Sequence, residues 1–219
     1  MTTFKFDWVD AFSDRPFGGN GCAVLHGGAS LDAQTCMDFV RETSLVECTF
    51  TGPSDVADIR VRYFLASREI PFAGHPTIAT VAAMRSRGMI AGDHVTLETG
   101  AGIVPVSLDR DMIEMTQVAP VFGSMIEPSL VAQSIRLSPE DIAAPPRMVS
   151  TGLPFCITLL RDHAALKAAR LDAGLLPELA EAAGMAAGMA EPFLVTLQGA
   201  TEQGDTFSRL LLPPPSPPE

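Results

Sequence analysis

The 219-residue sequence predicts an α+β fold in which mostly antiparallel strands surround one buried helix. Three observations carry that expectation. Short alternating runs such as Ile59–Tyr63 are separated by Gly, Pro and Asp turns, which fits short antiparallel connections better than a doubly wound parallel sheet. Thr77–Met84 contains no charge, and its apolar residues cover every helical face, so this helix belongs inside a domain. Hydrophobic residues make up 47% of the chain and charged residues 19%, enough to bury a core.

In chain order, Thr3–Ala11 alternates Phe4, Phe6 and Trp8 against Lys5 and Asp7, a strand with one buried aromatic face. The turn-forming run Ser13–Gly21 follows, then an apolar strand at Cys22–Leu25. Asp32–Thr43 spaces Ala33, Cys36, Phe39 and Val40 as a helix. Leu45–Phe50 reads as a strand ending before Gly52-Pro53, and Ile59–Tyr63 as the next. The central helix spans residues 75–88, after a tight turn at Ala73-Gly74-His75-Pro76. Pro76 suits the first helical position and Gly74 the bend. Arg85 and Arg87 complement the dipole of the last turn, and Gly88 ends it. His94–Thr99, Ile103–Leu108 and Met112–Val118 complete the first lobe, residues 1–122.

A break is expected over Ala119–Glu127. In the second lobe, residues 123–212, Ser129–Ile135 and the Ser138-Pro139-Glu140-Asp141 start signal predict helix. Ala164–Gly188 predicts helix broken around Gly174 and Pro177. Met148–Ser150, Pro154–Leu160, Phe193–Leu197 and Thr206–Leu212 predict strand. Residues 213–219 form a proline-rich tail that can build neither helix nor sheet.

Charge and motif content exclude several functions. Fifteen Lys+Arg against 26 Asp+Glu give a formal charge of −11, which disfavours nucleic acid. No run is long and apolar enough for a membrane span, and MTTFKFDW is not a secretory signal, so a cytoplasmic protein is expected. Cys22, Cys36, Cys48 and Cys156 are widely spaced and read as reduced, mostly buried thiols. The histidines and cysteines never fall at metal-ligand spacing, and Gly18-Gly19-Asn20-Gly21 makes neither a dinucleotide fingerprint nor a P-loop.

Two residues stand out chemically. His75 lies at the mouth of a buried helix, where free N–H groups and partial positive charge suit a carboxylate or oxyanion. The bland alternative is a histidine satisfied in an ordinary tight turn. Glu47 sits in the apolar stretch LVECTF. Facing inward, desolvation would raise its pKa toward a range useful for proton transfer. Alternation alone slightly favours the outward, solvated face. Asp7, Asp14 and Glu69 read as surface or turn residues, and His26, His94 and His163 as structural.

Four segments in order, Asp10–Asn20 (DAFSDRPFGGN), Glu47–Phe50 (ECTF), Arg62–Thr77 (RYF…EIPFAGHPT) and Ser150–Phe155 (STGLPF), resemble the phenazine-biosynthesis PhzF-like proteins. That resemblance implies a diaminopimelate epimerase-like fold, with two pseudo-equivalent lobes of curved, mostly antiparallel sheet around a central helix. It implies a cofactor-free isomerase or epimerase that moves a proton between carbons of a small carboxylic acid, acting as a homodimer. The family's catalytic residues fall on Glu47 and His75, and its substrate-binding positions on Asn20, Gly74, Thr77 and Gly152. The two-cysteine mechanism of the diaminopimelate epimerases is not supported, since Ala73-Gly74-His75 offers no thiol.

The chain departs from the family in two places. Position 21 is Gly where Pro is common. After Asp205–Leu211, LPPPSPPE stands where the family carries an acidic EDPATGSA-like helix start, so the second lobe is expected to be incomplete, through a frameshift or an internal stop. A catalytically inactive relative that binds a small acid or a protein partner is therefore the alternative reading.

Overall fold

The computed structural model of the chain describes residues 3–110, 112–186, 188–202 and 204–216. It divides at Val118/Ala119 into two compact units, described here separately.

The first unit is a mixed eight-stranded sheet. It contains β1 (Lys5–Ala11), β2 (Asn20–His26), β3 (Glu47–Gly52), β4 (Ile59–Leu65), β5 (Glu69–Ile70), β6 (His94–Thr99), β7 (Gly102–Asp109) and β8 (Met112–Met115). Their order is β1-β2-β3-β4-β6-β7-β8, with β5 paired back onto β4. Most pairs are antiparallel, as expected. The two parallel pairs, β2/β3 and β4/β6, each enclose a helix: α1 (Ala33–Thr43) and α2 (Gly74–Ser86). A parallel pair needs such a crossover, because a tight turn cannot reverse the chain twice.

The helices take opposite faces of this sheet. Cys36 and Val40 of α1 pack with Ala23, Leu25, Cys48, Phe50 and Phe64. Ala79 and Ala83 of α2 pack with Ala11, Cys22 and Val24. Because strand side chains alternate, even positions of β3 serve α1 and odd positions serve α2. The Phe4/Phe6/Trp8 face of β1 lies on the α1 side, where Phe4 packs against the core while Phe6 and Trp8 stay half-exposed. Val9 and Ala11 point at α2, while Phe6 leans on Phe39 of α1 and remains half-exposed.

The central helix starts earlier than the sequence suggests. Ala73 is its N-cap, so Gly74 is the first helical residue and Pro76 the third. Proline is tolerated there for the same reason as at the first position: its missing N–H falls among those with no intrahelical partner. Gly74 has no positive φ; a Cβ there would meet only the Gln117 amide nitrogen, at 4.0 Å. At the other end Gly88 has φ 68°, and the N–H groups of Gly88 and Met89 donate to Arg85 O and Met84 O at 2.9 Å each, a Schellman stop. Arg87 grips the Asp7 carboxylate of β1, with Nη2–Oδ1 at 2.6 Å. His26 joins it, with Nε2–Oδ2 at 2.7 Å.

The second unit is a five-stranded sheet in the order β13-β12-β11-β10-β9. Its strands are β9 (Val121–Met125), β10 (Arg147–Ser150), β11 (Pro154–Leu159), β12 (Pro192–Thr196) and β13 (Phe207–Leu210). Its helices are α3 (Pro128–Ser134), α4 (His163–Ala168) and α5 (Leu176–Ala183), which cluster with Met148, Cys156, Leu160 and Leu194. Two expectations need adjusting, and one stretch holds more than expected. The stretch read as a break begins at the Val118/Ala119 division and also holds an edge strand, β9, whose residues are all exposed and so show no alternation. Ser138–Asp141 forms a capping box but only a single 3₁₀ turn. The stretch expected to be broken helix forms α4 and α5, with Gly174 in the 3₁₀ turn Ala173–Leu175 between them, so the break falls at Gly174 as expected while Pro177 lies in the first turn of α5.

Candidate active site

The sheet of the first unit delivers Glu47 and His75 to one place. Glu47 opens β3, two residues before Thr49, and so shares the face toward α2. His75 is the second residue of α2. Glu47 Oε2 and His75 Nδ1 are 3.5 Å apart, with side chains only 13% and 11% exposed. The outward placement that alternation favoured for Glu47 is thus corrected, because α2 covers this face of β3.

Two buried hydroxyl chains hold the first turn of α2. Thr80 Oγ1 donates to Pro76 O at 2.7 Å and lies 2.8 Å from Thr49 Oγ1 of β3. Thr77 Oγ1 donates to Ala73 O at 2.7 Å and lies 2.8 Å from the Tyr63 hydroxyl of β4. Each helix threonine spends its single proton on a carbonyl, so Thr49 and Tyr63 must donate to it. All four side chains are fully buried, where unpaired hydroxyls would be costly. Sequence reasoning missed Thr49, Tyr63 and Thr80. The available signal was Thr77 and Thr80, three apart in an otherwise apolar helix, since polar groups there must find partners.

The N-cap of α2 is Ala73, whose side chain has no polar group to cap the helix. The first-turn N–H groups and the positive end of the dipole therefore surround His75. Burial pushes the His75 imidazole down to about 4, against a weaker upward pull from the Gly21 backbone. The ring is neutral at pH 7, with one nitrogen donating and the other accepting. Nε2 is buried without a hydrogen-bond partner among the described residues. The site thus combines a carboxylate, a neutral imidazole with a nitrogen unpartnered among the described residues, and the backbone donors of a helix N-terminus. That set can move a proton and stabilise negative charge on a bound acid.

The other named positions divide. Gly74 is the first residue of the helix mouth, and its lack of a side chain keeps that mouth open. Thr77 lies beneath the turn with its hydroxyl committed to Ala73 and Tyr63, so it shapes the mouth from below. Asn20 is exposed and opens β2 beside Gly21. Gly152 belongs to the second unit, where it has φ 131° in the β10–β11 connection and donates its N–H to Ser150 Oγ at 3.2 Å. Gln117, just beyond β8, is a further residue near Gly74 that the sequence did not suggest. All four cysteines are free and buried. Among the described residues, no group of three or more His, Cys, Asp or Glu is placed to hold a metal, and no helix is long and apolar enough to cross a membrane.

Known proteins resemble this chain over most of its length. The family model described as phenazine biosynthesis-like protein matches residues 9–214. The trans-2,3-dihydro-3-hydroxyanthranilate isomerase of Pseudomonas aeruginosa is 31% identical over 172 residues, which cover 72% of this chain and 61% of that enzyme. The chain therefore aligns with less than two thirds of that relative. A Bacillus anthracis protein of the PhzF family superposes with TM-score 0.79 at 27% identity, covering 96% of this chain and 72% of that one. A predicted epimerase from Pseudomonas aeruginosa superposes with TM-score 0.74 at 30% identity, covering 90% and 70%. The chain has the diaminopimelate epimerase-like fold expected of it and belongs to the PhzF family of phenazine biosynthesis-like proteins.

Proposed function

We propose that this protein is an isomerase or epimerase that moves a proton between carbons of a small carboxylic acid, using its own side chains and no cofactor. One observation carries the reading: Glu47 and a neutral His75 meet within 3.5 Å at the mouth of a buried helix. The Glu47 carboxylate takes a proton from a carbon beside a conjugating group, becomes a carboxylic acid, and returns that proton to another carbon or to the opposite face of the same one. The electron pair left behind is held as a delocalised anion. The N–H groups of Gly74 and His75, with the helix dipole, stabilise that anion or the substrate's own carboxylate. His75 Nε2 faces the substrate or shares the proton.

Asn20 and Gly152 are assigned to substrate binding by their motif positions, and Thr77 by the turn it supports. The relative named for trans-2,3-dihydro-3-hydroxyanthranilate makes dihydro-hydroxy acids the first substrates to try. We further infer a cytoplasmic homodimer, in keeping with four free, buried thiols. The test is solvent-deuterium incorporation into such acids, followed by NMR. Wild type should exchange a carbon-bound proton and Glu47→Gln should not, with both melting alike. Equal exchange in the variant removes Glu47 from the mechanism. Binding without exchange in wild type favours the inactive, acid-binding alternative.

A further inference from the structure

The first sheet carries a second charged side chain on the face that holds Glu47. Glu47 of β3 is the Cα partner of Leu65 of β4, and Leu65 donates its N–H to Arg68 O at 2.9 Å across the turn that precedes β5. The pairs Tyr63–Ile70 and Phe64–Glu69 continue that register. Laterally paired residues point to one face of a sheet, so Glu47, Leu65 and Arg68 form a row on the face toward α2. Glu69 shows the same alternation from the opposite face. Its carboxylate meets Arg62 at 2.8 Å, and Arg62 lies over Phe64 of the α1 core. Strand spacing puts Glu47 and Arg68 roughly 10 Å apart at Cα, a span that their two extended side chains cover. Arg68 Nε is buried, Arg68 is engaged by a neighbour, and Glu47 has a contact besides His75.

We propose that Arg68 is a positioning residue for the site: its guanidinium crosses Leu65 and pairs with the Glu47 carboxylate, holding the base ionised and aimed at the mouth of α2. The catalytic meaning rests on the reading of Glu47 given above, whereas the pairing itself does not. A carboxylate only 13% exposed loses hydration, which favours its protonated form and disables it as a base. The titratable groups around Glu47 do not offset that loss. His75 of α2 is neutral at pH 7, pushed down to about 4 by burial. Burial, with Glu47 adding to it, pushes the Cys22 and Cys48 thiols and the Tyr63 hydroxyl up, so all three stay protonated. A guanidinium keeps its charge throughout this range and presents a fork that matches a carboxylate. Each carboxylate oxygen has two lone-pair sites, so the pairing leaves Glu47 able to accept a proton.

The test follows the Glu47 carboxyl by carbon-13 NMR across a pH titration, with its signal assigned through Glu47→Gln, and needs no substrate. Arg68→Gln should raise the midpoint by about 1–3 pH units, the effect of removing a neighbouring cation. Arg68→Lys keeps the charge and should recover much of that rise. An arginine that served packing alone would change the melting point and leave the midpoint in place, so an unmoved midpoint in folded Arg68→Gln overturns the pairing. Should Arg68→Gln fail to fold, wild type decides: a midpoint at or below the ordinary value of about 4.3 supports the pairing, and one above it overturns it. Solvent-deuterium exchange then separates the pairing from the catalysis. The acidic limb of the exchange rate against pH should move up in Arg68→Gln together with the carboxyl midpoint. A raised KM with limb and midpoint both unmoved places Arg68 on the substrate instead and overturns the proposal. A midpoint that moves while the exchange limb stays put supports the pairing and removes Glu47 from the mechanism.

Discussion

The two sheets use their faces differently. In the first unit α1 and α2 cover opposite faces, and the α2 side holds polar groups in fixed places: Thr49 on Thr80, Tyr63 on Thr77, Glu47 beside His75. In the second unit α3, α4 and α5 cluster with one face, through Met148, Cys156 and Leu194. The residues between them, Phe155, Ile157, Phe193 and Val195, are half-buried and apolar. A buried helix end thus gathers polar groups on one face of the first sheet, whereas the core clusters of the second are apolar, with Thr158, Glu191 and Thr196 buried beside them. Burial makes the polar groups of the first unit consequential, because a low-dielectric setting strengthens paired groups and penalises unpaired ones.

Substitutions in each unit sharpen this contrast. The largest effect is expected at Glu47, where Glu47→Gln should reduce proton exchange by about 10²–10⁴-fold, the usual worth of a general acid–base group, without moving the melting point. Leu194→Ala in the second unit should behave oppositely. Leu194 is fully buried, so a cavity there should cost about 2–5 kcal/mol in denaturant unfolding and leave the His75 environment unchanged by NMR.

Thr80→Val should cost about 1–3 kcal/mol by stranding the Thr49 hydroxyl, and the added Thr49→Val should recover much of that loss. A double-mutant cycle without coupling would mean that the hydroxyl pair does not hold the turn. The smallest expected loss is Gly88→Ala. It should cost about 1–2 kcal/mol through its left-handed backbone alone, since nothing lies within 4 Å of the added methyl.

Much of this was legible in the sequence for identifiable reasons. An uncharged stretch from Thr77 to Met84 can only be buried, and the segments around Glu47 and His75 matched a family pattern in order. Local reading failed where tertiary placement decided the outcome. Phe6 and Trp8 alternate like core residues yet sit on an edge strand that α1 only partly covers. β9 is exposed on both faces and so has no period to detect. Pro76 was placed two positions too early in the helix, because proline is equally compatible with either position of the first turn. The hydroxyl partners Thr49 and Tyr63 come from distant strands, and no spacing rule connects them to α2.

The central claim is that burial at the mouth of α2 keeps His75 neutral beside Glu47. A free imidazole titrates near 6.5 and His75 at about 4, so the unfolded chain takes up this proton first as pH falls. His75 therefore contributes stability that is fully present above pH 6.5 and is lost as pH falls toward 4, about 3 kcal/mol in all. NMR titration of the His75 ring measures this directly and needs no substrate. A midpoint near 4, with His75→Asn flattening the stability change between pH 6.5 and 4, is the predicted result. A midpoint at or above 6.5 would contradict the account, because the imidazole would then be solvated and no longer held neutral by burial beside Glu47.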